Sequence, residues 1–104
     1  MIVRTSATLP LRAFHTDPFG DEGRHEHVWM IKLVANGEPF LDARALREAL
    51  RAFLEPLQNS DLPPHLWAAE DIAKHCLLIG TCDPIGCVVT RDGFEVEVWL
   101  DQQR

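Results

Sequence analysis

Residues 25–35, His-Glu-His-Val-Trp-Met-Ile-Lys-Leu-Val-Ala, constrain the fold more than any other stretch of the chain. The run is rich in Val, Trp, Ile and Leu and holds no Gly or Pro, so it favours extended backbone. At a period of two, one face carries His25, His27, Trp29, Ile31 and Leu33. The other carries Glu26, Val28, Met30, Lys32 and Val34. Both faces are largely apolar, the pattern of a strand covered on two sides. Trp29 and the apolar residues around it are therefore expected to need cover on both sheet faces, with self-association supplying part of it.

Segments on either side supply partners for such a strand. Residues 2–15 read as extended, with Leu9, Leu11, Ala13 and His15 sharing a face, and Pro10 marks an edge position or a bulge. A polar loop with Pro18, Gly20 and Gly23 separates the two runs, and Asn36-Gly37 turns the chain after the second. Asp42 then serves as the N-cap of a helix whose inner stripe is Leu46, Leu50, Phe53, Leu54 and Leu57. Arg44, Arg47, Glu48, Arg51 and Glu55 face outward, and Pro56 stops or bends the helix. Beyond Pro63-Pro64, a shorter helix over about 68–78 turns Ala69, Ile72, Ala73 and Cys76 inward. Two strand-like runs, 85–91 and 94–100, close the chain across Asp92-Gly93, a two-residue hairpin signal; Phe94, Val96, Val98 and Leu100 share a face. The order β-β-α-α-β-β predicts a single α+β domain over residues 1–104, with both helices on one face of a four-stranded sheet.

Composition narrows the function classes. At 104 residues the chain holds one domain with a thin core. Sixteen Asp/Glu against ten Lys/Arg give a formal charge of −6, which disfavours nucleic acid, where affinity rests on neutralising phosphates. No apolar run approaches the ~20 residues of a membrane span, and residues 1–15 hold no secretory apolar core. Cys76, Cys82 and Cys87 form no CxxC and leave one over in any pairing, so a reducing, cytoplasmic setting is expected.

The chemistry concentrates in three histidines. In His25-x-His27 the two imidazoles project to the same side of a strand. If the first two strands pair across the loop between them, His15 lands opposite that pair on the same face. Three imidazoles with a vacant fourth position make a catalytic-type zinc site. The loop also carries Asp17, Asp21 and Glu22, carboxylates able to act as a base or to orient a ligand. His65, and His75 beside Cys76, read as structural.

Phe14-His15, His25-Glu26-His27-Val28-Trp29 and Phe40-Leu41-Asp42, followed by Leu57-Gln58-Asn59-Ser60-Asp61-Leu62 and Ala69-Glu70-Asp71-Ile72-Ala73, resemble in order and spacing the 6-pyruvoyltetrahydropterin synthase family, which includes the 6-carboxytetrahydropterin synthases. The resemblance spans roughly residues 8–100. It implies a T-fold, a four-stranded antiparallel sheet with two helices that assembles through its edges into a homo-oligomeric barrel. It also implies Zn2+ on His15, His25 and His27, and lyase chemistry on a pterin-like small molecule.

The proton-handling half of the family pattern is replaced. Asp21 stands where the family has its catalytic Cys, and Gln58 and Asn59 stand where it has Asp and His. Neither amide titrates. Arg91-Asp92 is the nearest counterpart of the family's pterin-anchoring Glu and following Thr. The sequence thus leaves two readings. One is a divergent zinc-dependent lyase with Glu22 or Asp21 as substitute base; the other is a noncatalytic metal-binding or scaffold member.

Overall fold

The computed structural model describes residues 3–16, 23–36 and 43–100. Strands β1 (Arg4–Thr16) and β2 (Arg24–Asn36) precede helix α1 (Ala43–Leu54), helix α2 (Ala69–Cys76) and strands β3 (Pro84–Arg91) and β4 (Phe94–Trp99). The four strands form one antiparallel sheet in the order β1-β2-β3-β4. This is the α+β arrangement the sequence predicts. Among the described residues no helix is long and apolar enough to cross a membrane.

The period-two pattern sorts the sheet cleanly into two faces. Ala7, Leu11, Ala13 and His15 of β1 lie buried on the same side as Trp29, Ile31 and Leu33 of β2 and Cys87 and Val89 of β3. Both helices cover this side: Leu46, Leu50 and Leu54 of α1 and Ile72, Ala73 and Cys76 of α2 complete one core. Helix α1 lies against β1, and α2 against β3 and β4. The spacing of four between Leu46, Leu50 and Leu54 puts them on a single stripe, and the exposed side carries an Arg51–Glu48 ion pair (2.7 Å). Pro56 cannot donate a backbone hydrogen bond, so α1 ends at Leu54 and the chain goes on as one 3-10 turn, Glu55–Leu57. The Asp42 cap lies outside the described residues.

Trp29 itself finds its cover inside the chain. It is only 1% exposed, buried on the helix side within the chain, whereas Val28 and Met30 on the opposite face are 40% and 41% exposed. The outer face is thus open around Val28 and Met30, whereas Val34 and Val88 on it are buried. It holds a shallow pocket of about 270 Å³ whose lining includes Met30, Lys32, Val88, Glu95, Glu97 and Trp99. There the Trp99 ring lies across Gly86, its strand partner; a Cβ on residue 86 would overlap the ring carbons Cε3, Cζ3 and Cδ2, which only glycine avoids. The β3–β4 hairpin turns through Asp92 (φ 50) and Gly93 (φ 89), two successive positive-φ residues as a type I′ turn demands.

β1 is an edge strand, as Pro10 suggests, yet half of that edge is occupied. The side-chain amide of Gln58 donates to the Pro10 carbonyl (2.8 Å) and accepts from the Arg12 N–H (3.0 Å). Asn59 N–H then donates to Arg12 O (2.6 Å), Phe14 N–H to Ser60 O (2.8 Å) and Leu62 N–H to Phe14 O (2.8 Å). Residues 58–62 therefore run alongside β1 like a short parallel strand. Asn59 enters this segment with φ 58, a left-handed conformation that Asn tolerates better than most residues.

Candidate metal centre

The β1–β2 register makes His15 and His25 direct cross-strand partners and places His27 opposite Ala13. All three side chains share the helix side of the sheet, at the end next to the loop that joins the strands. The arrangement inferred from the two-residue period is the one observed. Ring centroids lie 4.7 Å apart for His15–His25, 4.9 Å for His15–His27 and 4.4 Å for His25–His27, with the rings nearly perpendicular. One ring nitrogen from each residue falls within 4.8 Å of the other two, close enough to hold a metal ion. Tetrahedral zinc bound at ~2.0–2.1 Å would draw its imidazole nitrogens to roughly 3.3 Å of one another, a short inward movement from here.

Outer hydrogen bonds set the direction of two rings. His15 donates from Nδ1 to the Trp67 carbonyl oxygen (2.8 Å), and His25 donates from Nδ1 to the Gly23 carbonyl oxygen (2.7 Å). A carbonyl can only accept, so each Nδ1 carries its ring's hydrogen and, in the neutral ring, Nε2 carries a lone pair. Those two Nε2 atoms face one another at 3.1 Å. Lone pair against lone pair is repulsive unless a proton or a metal cation lies between them. Backbone carbonyls that fix the tautomer and turn Nε2 inward are the usual outer support of histidine metal ligands.

The third histidine is held less tightly. His27 Nδ1 lies 3.7 Å from an Asp92 carboxylate oxygen. Burial pushes the His27 pKa below the ordinary histidine value; the Arg91 guanidinium and the two neighbouring imidazoles push it the same way, and Asp92 opposes them. A neutral imidazole is the form that binds metal. His15 is 4% exposed and meets the Trp29 ring edge-on at 5.0 Å, so the floor of the cluster is apolar. Arg91 borders the cluster: its Nη1 is 3.4 Å from His15 Nε2 and its Nε is 3.4 Å from Asp92.

The other candidates fall elsewhere. Asp17, Asp21 and Glu22, including both substitute bases, lie outside the described residues. His75 is half-buried against Phe53 (4.9 Å between centroids), with His65 at 6.4 Å, and burial followed by the His65 charge lowers its pKa. Among the described residues the three histidines are the only such group of potential metal ligands. Cys76, Cys82 and Cys87 are all buried and free. Hydrogen bonding with Cys87, then burial, pushes the Cys76 thiol far up, so it stays protonated and is no nucleophile. Gln58 and Asn59, at the positions where the resembling family keeps its relay, hold the edge of β1.

Sequence reasoning missed the two orienting carbonyls, which leave no mark on side-chain identity. In the sequence Asp92 reads as a turn residue, and Arg91-Asp92 as a counterpart of the resembling family's anchoring pair. The β2–β3 register, with Thr90 opposite Met30, carries the hairpin tip toward His27, and that register is a long-range pairing that the residue pattern of either strand does not announce. Comparison with family models and with curated proteins gives no match for this chain.

Proposed function

We propose that this chain is a metal-binding protein that holds a divalent ion, zinc in the first place, on His15, His25 and His27, as a divergent relative of the 6-pyruvoyltetrahydropterin synthases. The observation that carries the reading is the pair of carbonyl-anchored imidazoles whose Nε2 atoms converge at 3.1 Å, with His27 completing the triad. Imidazole suits zinc, but also iron, nickel and copper. Zinc on three imidazoles supplies a Lewis acid with one open position, suited to polarising an oxygen of a small, pterin-like substrate. The chain's own part is to fix both tautomers through Trp67 and Gly23 and to exclude water beneath the triad with Trp29.

Within this reading, one observation favours a noncatalytic role over lyase activity. Gln58 and Asn59 serve the backbone, and amides cannot move a proton. A substitute base would have to come from Asp21 or Glu22. A T-fold assembly is supported by the exposed outer face with Val28, Met30 and Trp99, and by β4 standing at an edge of the sheet. Three buried, unoxidised cysteines suit a cytoplasmic setting.

Elemental mass spectrometry on untagged protein tests the proposal, alongside the His25→Ala/His27→Ala variant. About one equivalent of metal per chain, lost in the variant, is expected. No metal in the parent even after zinc is supplied would reject it. Binding of dihydroneopterin triphosphate or simpler pterins to the metal-loaded protein would favour the lyase reading; their failure to bind would favour the noncatalytic one.

A further inference from the structure

We propose that Arg91 makes the centre selective for an oxyanion, so that the exogenous ligand of a metal on the histidine triad is the carboxylate or phosphate group of a small molecule, held jointly with the Arg91 guanidinium. The proposal rests on the metal reading above and adds the chemical class of the ligand.

Its basis is where the guanidinium stands. Arg91 ends β3, and its side chain is only 21% exposed. The Nε side is committed to the Asp92 carboxylate at 3.4 Å, and the group lies 5.4 Å from the centre of the Phe94 ring. Nη1 meanwhile reaches to 3.4 Å from His15 Nε2, one of the nitrogens that would ligate the metal. A permanent cation is thus held against the place where a second, divalent cation would sit.

Charge then decides what joins them. Three neutral imidazoles leave the charge of a divalent ion undiminished, and the guanidinium adds one more. Among the described residues Asp92 is the carboxylate beside both His27 and Arg91, and it offsets a single charge. A neutral alcohol or water in the open position leaves metal and guanidinium repelling each other across a few ångströms. An oxyanion with one oxygen toward the metal and another toward Nη1 turns that repulsion into two attractions. Arg is suited to this role because its planar fork donates to carboxylate and phosphate with fixed geometry. A divalent ion on three neutral imidazoles favours an anion by itself, so the share of Arg91 is what its removal takes away: if Arg91 served only to pair with Asp92 and brace the hairpin, anion affinity would be the same without its charge.

Cobalt(II) loaded into the full-length protein in place of zinc gives visible bands that report on the open position. Acetate and inorganic phosphate are the probes, and acetamide is the neutral comparator of acetate. The expected result is a saturable band shift with acetate or phosphate and none with acetamide at the same concentration. Whichever of the two anions binds tighter identifies the group. Arg91→Gln should weaken that anion about tenfold or more, the usual scale of a charge-assisted hydrogen bond, while Arg91→Lys retains part of it. Cobalt itself should bind Arg91→Gln as well as the parent or better, because a repelling charge has gone.

Equal shifts with acetamide and acetate, or an Arg91→Gln anion affinity within twofold of the parent, would overturn the proposal. Loss of cobalt binding in Arg91→Gln would assign Arg91 to the fold and overturn it as well. Failure of the parent to take up cobalt would refute the metal reading itself, which is distinct from bands that appear but ignore anions.

Discussion

Gln58 offers the sharpest test of how this fold is held, because its side-chain amide bonds to the backbone edge of β1. Its amide makes two hydrogen bonds to the β1 edge, at 2.8 Å to Pro10 O and 3.0 Å to Arg12 N–H. A neutral hydrogen bond contributes a net ~0.5–1.5 kcal/mol. Water reaches this edge and replaces part of what is lost, so Gln58→Ala should cost about 1–2 kcal/mol. For a chain of this size that lowers Tm by roughly 5–12 °C. Gln58→Glu adds a directional check. The protonated carboxyl can reproduce both bonds, whereas the carboxylate sets an acceptor against the Pro10 carbonyl. The neutral form is therefore favoured in the fold and the folded pKa is raised. Stability is then full below the unfolded pKa near ~4.3 and is lost as pH rises through the folded pKa. Thermal unfolding followed by circular dichroism between pH 4 and 8 reads both effects. A Gln58→Ala Tm within 2 °C of the parent, or a Gln58→Glu difference from parent that does not grow with pH, would refute the structural assignment.

Two further perturbations probe the histidines. His15→Ala should destabilise the protein by about 2–4 kcal/mol even in chelator, since it leaves a cavity and strips the Trp67 carbonyl of its donor, whereas His27→Ala should cost well under half of that; urea unfolding in EDTA compares them. For His75 the folded pKa lies below the ordinary 6.5 because of burial, then the His65 charge, so the unfolded chain binds the extra proton first. Stability on this account is intact above about pH 6.5 and declines as pH falls from there toward the folded pKa. His75→Phe should flatten the fall of Tm between about pH 6.5 and 5, and an unchanged slope would exclude His75 as its source.

Much of the fold was legible because it rests on patterns local to each element. Alternation placed His15, His25 and His27 on one face. Asp92-Gly93 fixed the hairpin, and Pro56 marked the end of α1. Apolarity on both faces of 25–35 predicts cover on both sides, part of it from self-association, and within the single chain only one side is fully covered. The structure buries Trp29, Ile31 and Leu33 completely but leaves Val28 and Met30 about two-fifths exposed. Periodicity tells which residues share a face and not which face a helix will cover. The segment 58–62 was illegible for a different reason. It pairs with β1 mainly through backbone groups, which every residue type carries, and only the Gln58 amide reveals the contact in side-chain chemistry.

That segment also explains how the centre gets its orientation. After pairing with β1 through Leu62, the chain passes Pro63 and the 3-10 turn Pro64–Leu66 and arrives at Trp67. The Trp67 indole N–H returns to the Leu62 carbonyl (2.8 Å), and the Trp67 carbonyl takes the hydrogen of His15 Nδ1 (2.8 Å). The path from Gln58 to His15 is therefore a continuous ladder: amide to β1, segment to β1, indole to segment, carbonyl to imidazole. Each rung fixes the position of the next, so residues that carry no titratable group still determine which nitrogen of His15 points at its partners. The Gly23 carbonyl performs the same task for His25 from within the strand entry, and the hairpin tip brings Asp92 to His27. Three separate parts of the chain thus converge on one cluster. An ion bound there would tie the first hairpin to the last, and its binding energy would add directly to the stability of the whole sheet.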